Sequence, residues 1–328
     1  MIERNLCLIC DDNYCLPTAV CIQSIVDSIS EDVVLNIFVC TFGLNERNSE
    51  FLISMGCKNI KVFVELFQES IIIERLQSII QKSHVTPTAL IKFELPVHFS
   101  HLDNILYLDS DIIVKSDISD LLSLDISNYY IAASFEFWDR IENIMYKFPW
   151  NRNEEFYFNS GVMLMNLEKM REDNLTEKLW DYKLNKAKTK LMDQESLNKV
   201  CSELILPLSI KWNFNPKFLT NMYIKEINNV YEENYKSATE LKNDIKIIHY
   251  VGKTDKPWIY RHARMREYWD HSFRNIYQNG QLQFLSLKEF REKHVSKLSF
   301  IVSMLKNRGV EGLVCFVVYK LKTLLIVK

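Results

Sequence analysis

Glycine is scarce in this chain, 7 residues in 328, and neither G-x-G-x-x-G nor G-x-x-x-x-G-K-[ST] occurs. Phosphate sites built on glycine-rich loops, whether dinucleotide-binding or P-loop, therefore lose their main support. An excess of one charge is lacking too: the formal net charge is −2. No global field recruits nucleic acid, and nucleic acid is not an expected partner. No segment resembling a signal peptide precedes residue 5, because MIERN carries charge and runs straight into a strand-like stretch. What is present is ample apolar material, 48% apolar and 12% aromatic residues, which excludes a disordered chain and suits a large core.

The eight cysteines are Cys7, Cys10, Cys15, Cys21, Cys40, Cys57, Cys201 and Cys315. Cys7-x-x-Cys10 has half the spacing of a zinc site, but positions 7 and 10 of a strand point to opposite faces, which argues against a shared metal. Free buried thiols in a cytoplasmic protein are expected.

The first 115 residues alternate strand-like and helix-like segments. Strands are expected at Asn5–Cys10, Val33–Thr41, Asn59–Glu65 and from Ile105. Helices are expected at Pro17–Ser28, Glu46–Met55, Glu69–Gln81 and Thr88–Phe93. This rhythm predicts an α/β domain with a mostly parallel sheet and helices on both faces. Farther on, YYIAAS (129–134), GVMLMN (161–166) and Ile245–His249 read as strands, and Leu167–Leu184 and Gln194–Cys201 as helices.

The stretch NILYLDSDIIV, residues 104–114, ends an apolar run in Asp109 and Asp111. Such a run reads as a strand buried on both faces, and in open α/β sheets ligands bind beyond the carboxyl ends of the strands. Two carboxylates about 4 Å apart repel by roughly 4 kcal/mol at an effective dielectric near 20. They are tenable together if they share a proton or a divalent cation. The alternative is a solvated acidic turn.

Six segments in order decide the matter: CDDNY (10–14), LYLDSDIIV (106–114), FNSGVMLMNL (158–167), DQESLN (193–198), KWNFNP (211–216) and HYVGKTDKPW (249–258). Together they resemble the successive motifs of the family-8 retaining glycosyltransferases, particularly bacterial lipopolysaccharide galactosyl- and glucosyltransferases. The resemblance implies a GT-A type nucleotide-sugar fold over residues 1–265, followed by a helical C-terminal region, 266–328. It also implies a UDP-sugar donor, UDP-galactose or UDP-glucose, and a hydroxyl acceptor on a surface glycan or glycolipid such as lipopolysaccharide or capsule.

By the same resemblance Asp109, Asp111 and His249 hold Mn²⁺, with Mg²⁺ as an alternative. Two carboxylates and an imidazole suit the ion. Gly252 and Lys256 contact the diphosphate, with Lys253 competing for the lysine's role. Asp11, Asn13 and Tyr14 read the uracil, although the same turn also suits a helix cap before Pro17. Asn159, Ser160, Asp193 and Gln194 face the sugar. Gln194 stands where a double displacement would place its nucleophile, and an amide is a poor one. A front-face substitution supported by Gln194 is therefore favoured, with Asp193 as the fallback nucleophile. One departure stands out: Leu90 occupies the position of the family's donor-contacting arginine, and Lys92, two residues on, is the candidate to compensate.

Two rivals remain open at this stage. A haloacid-dehalogenase-type phosphatase also follows a strand with D-x-D. It normally carries Thr or Val where Ile113 stands, and it places the motif near the N-terminus. A non-catalytic UDP-sugar or glycan-binding protein is encouraged by Leu90. Finally, Lys288–Lys328 holds nine Lys/Arg against three acids, interleaved with apolar clusters. No charge-free run in it is longer than Gly312–Tyr319, which is far short of the about 20 residues that span a bilayer. The pattern predicts attachment to an anionic membrane surface, placing the protein peripherally on the inner face of the cytoplasmic membrane. Helices packed on the main domain are the alternative.

Overall fold

The computed structural model describes residues 2–76, 87–137, 157–186, 193–252 and 255–278. Seven strands form one sheet. They are β1 (Ile2–Ile9), β2 (Val33–Thr41), β3 (Ile60–Leu66), β4 (Asn104–Leu108), β6 (Ile131–Phe135), β7 (Phe158–Asn166) and β8 (Ile205–Leu208). Their spatial order is β3-β2-β1-β4-β7-β6-β8. Within this sheet β7 alone runs against its neighbours; the other pairings are parallel. The sheet is thus mixed and mostly parallel, as the α/β expectation required.

Alternation along the strands sends side chains into two cores. Leu6, Leu8 and Cys10 join one, with Leu106 and Leu108, while Cys7, Ile9, Ile105 and Tyr107 join the other. Cys7 and Cys10 therefore do face opposite sides of the sheet, as the two-residue period demands. The helix Cys15–Val26 is buried along most of its length, which explains its nearly continuous apolar sequence.

A separate two-stranded sheet pairs β5 (Ile112–Val114) with β9 (Ile247–His249), antiparallel, with Ile112 opposite His249. This small pairing positions the site, because it carries the histidine back to the turn containing Asp109 and Asp111. The helix expected over Leu167–Leu184 is two helices, Leu167–Glu172 and Leu175–Asn185. Asn174 separates them with φ 53°, a left-handed conformation that no helix interior accepts. The helix Arg266–Gln278 packs on the helix Cys15–Val26. Asp27 accepts hydrogen bonds there from Ser272 Oγ at 3.2 Å and Asn275 Nδ2 at 2.9 Å. The basic, apolar tail from Lys288 lies outside the described residues, as does Lys253. Among the described residues no helix is long and apolar enough to cross a membrane.

Candidate functional site

The turn after β4 is tied down on both sides. Asp109 N–H donates to Gly161 O at 2.8 Å, Ser110 Oγ donates to Ile9 O at 2.7 Å, and Tyr250 N–H donates to Asp111 O at 3.0 Å. β1, β7 and the end of β9 thereby hold the two aspartates against His249. One ligand atom from each of Asp109, Asp111 and His249 lies within 4.8 Å of the others. His249 Nε2 is 3.5 Å from Asp109 Oδ2 and 3.1 Å from Asp111 Oδ1.

The donor set suits a divalent cation, and two further observations agree. Asp111 Oδ1 is buried yet receives no hydrogen bond, a costly condition that coordination would relieve. At Gly161, a Cβ would lie 2.1 Å from His249 Cε1 and 2.8 Å from Asp109 Oδ2. Only a residue without a side chain lets β7 pass this close to both groups.

Two buried lysines compensate the carboxylates. Lys92 Nζ donates to Asp193 Oδ2 at 2.5 Å and to Ser160 O at 3.1 Å, and lies 3.3 Å from Asp109 Oδ1. Lys256 Nζ pairs with Asp111 Oδ2 and donates to Tyr250 O at 2.8 Å. Tyr107 Oη donates to Asp109 Oδ1 at 2.5 Å. The electrostatic consequences follow directly. Burial alone would raise the Asp109 carboxyl, but Lys92, His249 and Tyr107 together hold it far below the usual carboxylate range. Burial raises Asp111 as well, and His249 and Lys256 more than offset it. For His249, burial opposes the charge, yet the nearby carboxylates, Asp111 first and then Asp109, push the ring up to about 9. A ring so disposed toward a cationic partner sits in a strongly negative local field.

The side of the cavity near Asp193 is differently arranged. A cavity of about 300 Å³ is bounded by Lys92, Asp109, Asp111, Asn159, Ser160, Asp193, Gln194, His249, Val251 and Gly252. Asp193 Oδ2 accepts from Lys92 and from Ser160 Oγ at 2.9 Å. Gln194 Oε1 accepts from Ser160 N–H at 3.1 Å. Asn159 has both amide atoms engaged, Nδ2 donating to Glu136 Oε2 at 2.6 Å and Oδ1 accepting from Gly161 N–H at 3.0 Å. Gly252 has φ +85°, so glycine is required there for backbone reasons, and Lys217 Nζ would lie 3.2 Å from any added Cβ.

The cavity brings together most of the residues that the sequence singled out for the site, while Asp11, Asn13 and Tyr14 do not line it. Asp11 caps the turn, its Oδ1 accepting from Tyr14 N–H at 2.9 Å, so the capping interpretation is observed. The cap leaves the Tyr14 ring 40% exposed. That ring meets Trp258 edge-on at 6.0 Å, and Lys256 Nζ sits 5.4 Å from the same indole, which links the first turn to the site. Asn13 is exposed beside it. Leu90 is wholly buried in the apolar core, so it offers nothing to a ligand. Lys92 is not a mobile contact: 3% exposed, it is an internal counter-ion between two carboxylates.

Sequence reasoning missed Tyr107, Glu136, Asn213 and Trp258. Tyr107 shares strand parity with Asp109, a signal that was available. Asn213 and Trp258 stand inside quoted motifs without an assigned role, and Glu136 carries no motif at all.

Residues 5–262 match the family model Glycosyl transferase family 8. A Haemophilus influenzae protein provisionally named a glycosyltransferase is 27% identical over 209 residues, 62% of this chain and 62% of its own length. The lipopolysaccharide 1,2-glucosyltransferase of Escherichia coli is 28% identical over 324 residues, 94% of this chain and 88% of its own. Among solved structures, galactosyltransferase LgtC, in complex with donor and acceptor sugar analogues, superposes with a TM-score of 0.63 at 21% identity. That superposition covers 85% of this chain and 100% of LgtC, and shows that the fold is shared. The chain belongs to glycosyl transferase family 8.

Proposed function

We propose that this protein is a retaining hexosyltransferase that moves galactose or glucose from a UDP-sugar to a hydroxyl of a lipopolysaccharide-type or related surface glycan. The observation that carries the proposal is the convergence of Asp109, Asp111 and His249 beside a cavity of sugar size, with the Asp111 oxygen left unbonded. These three would hold Mn²⁺ or Mg²⁺, which when bound supplies Lewis-acid neutralisation of the charge on a departing diphosphate. Lys256, drawn in by Asp111, and the backbone at Gly252, on the cavity wall, would supply further diphosphate contacts. Asp11, Asn13 and Tyr14 form the base-binding turn, the exposed Tyr14 face offering a stacking surface worth about 1–3 kcal/mol.

The arrangement of Asp193 supports front-face substitution. A carboxylate bonded to a buried lysine and a serine hydroxyl has its charge already engaged, which weakens it as a nucleophile. Gln194, held by the Ser160 backbone, keeps a carbonyl dipole in a fixed place at the cavity wall. A dipole that needs no reorganisation is what an oxocarbenium-like state benefits from. Buried Lys92 keeps Asp193 in that engaged state, a role different from the donor contact expected for it.

A panel of UDP-sugars, assayed for hydrolysis with and without Mn²⁺, tests donor and metal together. Asp109→Asn and Asp111→Asn should each lower metal-dependent turnover by about 100-fold or more, since the ion contributes several kcal/mol. Full activity in either variant would remove the metal assignment. UDP binding by calorimetry without any hydrolysis or transfer would favour a non-catalytic binder. For the acceptor side, deletion from Lys288 should release the protein from anionic liposomes and spare donor hydrolysis. Unchanged liposome binding would refute the membrane reading.

A further inference from the structure

Behind His249 lies a row of three polar side chains from separate elements, and chemistry fixes its polarity. Gly161 N–H can only donate, and it donates to Asn159 Oδ1 at 3.0 Å. A carboxylate accepts, and Glu136 Oε2 lies 2.6 Å from Asn159 Nδ2. Two independent partners therefore set the same orientation of the Asn159 amide. The atom of Asn213 that faces Asn159 Oδ1 at 3.0 Å must then be the donor, Nδ2. Its other atom, Oδ1, is left facing His249 Nδ1 at 2.8 Å. An amide oxygen has no proton to give, so Nδ1 must carry the hydrogen. Asn159, Asn213 and His249 are each at least nine-tenths buried, so water does not compete for these bonds.

We infer that Glu136, Asn159 and Asn213 form a hydrogen-bonded relay that keeps a proton on His249 Nδ1 and so commits Nε2, the atom facing Asp109 and Asp111, to the cation. Asn213 is a positioning residue that acts through His249, and Asn159 supports it from the next position. This gives Asn159 a supporting role beside that of a sugar contact, since three partners hold its amide and the second Nδ2 hydrogen is not among those engaged. The relay also holds the ring plane. A ring free to turn about its Cβ–Cγ bond would present Nδ1 or carbon to the aspartates instead. Outer partners of this kind commonly tune metal affinity by about 10- to 100-fold.

The inference rests on the metal reading above, and the test separates the two. Mn²⁺ affinity of the full-length protein is measured by the electron paramagnetic signal of free ion, without any sugar donor. Asn213→Leu, which fills the site but offers no acceptor, should weaken Mn²⁺ binding by about 10- to 100-fold while thermal unfolding stays cooperative. Asn213→Asp restores an acceptor for Nδ1–H and should bind much more tightly than the leucine variant, a rescue that generic loss of packing would not give. Asn159→Ala frees the Asn213 amide to turn, and should weaken Mn²⁺ by a smaller factor. With Cd²⁺ as a diamagnetic substitute and isotope-labelled histidine, metal coupling should appear on Nε2 of His249 while Nδ1 retains its proton.

Mn²⁺ affinity within about twofold of wild type in both Asn213→Leu and Asn159→Ala would overturn the relay, as would coupling at Nδ1. If Asn213→Leu does not fold, Asn159→Ala decides alone: unchanged Mn²⁺ affinity there refutes the relay. Wild-type protein that binds no Mn²⁺ would sink the metal reading and the relay with it.

Discussion

The two sides of the Lys92 ammonium, the two ends of the site, teach different things about carboxylates taken out of water. Toward the turn after β4, Asp109 and Asp111 crowd against His249, and one buried oxygen of Asp111 has no hydrogen bond. Toward the helix Gln194–Val200, Asp193 is 8% exposed, less than either aspartate of the turn, and lysine and serine hydrogen bonds already engage it. The first end keeps a buried oxygen without a hydrogen bond, which suits a positively charged partner. The second is complete and is organised to stay unchanged. Buried charge is tolerated at both because each carboxylate has a cationic neighbour, the condition for keeping ions in a low-dielectric interior.

The largest effect should come from breaking the element that both ends share. Lys92→Met keeps the aliphatic bulk and removes the charge, leaving Asp109 and Asp193 without their common counter-ion. Removing one partner of a buried pair costs about 3–5 kcal/mol. Urea unfolding of the variant should show a loss of that order, with no change in the slope. A variant as stable as wild type would mean that the two ends do not depend on Lys92, and the comparison would fail.

An intermediate effect isolates the metal end. Gly161→Ala places a methyl where His249 and Asp109 now sit, at 2.1 Å and 2.8 Å. Forcing bulk into a packed site costs about 1–3 kcal/mol, and here the groups that must yield are two of the proposed cation ligands. Mn²⁺ binding should therefore suffer more than stability does, as titration calorimetry beside thermal unfolding would show. Wild-type Mn²⁺ affinity in Gly161→Ala would mean that this close approach does not define the ligand geometry.

How much of this was legible in sequence follows the physics of each element. β1 to β4 and their helices announce themselves because long apolar runs alternate with amphipathic segments over many residues. β5 does not, since three residues carry no period; β9 was expected within Ile245–His249, but its pairing with β5, which sets His249 beside Asp111, was not. β8 contains Pro207, which a central strand would reject; it is tolerated at this edge of the sheet. The aspartates and His249 were readable from motif order, and the turn at Asp11 from its capping chemistry. Lys92 was readable as relevant, but not as an internal counter-ion, because burial depends on what Ser160 and Asp193 bring from elsewhere. Glu136 was unreadable, since nothing local distinguishes it from any acidic residue on a strand end.

The smallest effect sharpens the contrast from the other side. Ser160→Ala removes the hydroxyl that donates to Asp193 and leaves the backbone N–H that holds Gln194. Lys92 still pairs with Asp193, so no charge is stranded. The expected cost is that of one hydrogen bond to a charged group, about 1.5–3 kcal/mol at most, and less where the lysine compensates. Mn²⁺ affinity should remain that of wild type, because no atom of the metal end has lost a partner. Donor hydrolysis should fall only modestly, through a loosened Asp193, and a plot of rate against Mn²⁺ concentration should keep its midpoint. A shifted midpoint would show that loosening Asp193 reaches Asp109 through Lys92. The two ends would then be one electrostatic unit, and completeness at one would be no guide to receptiveness at the other.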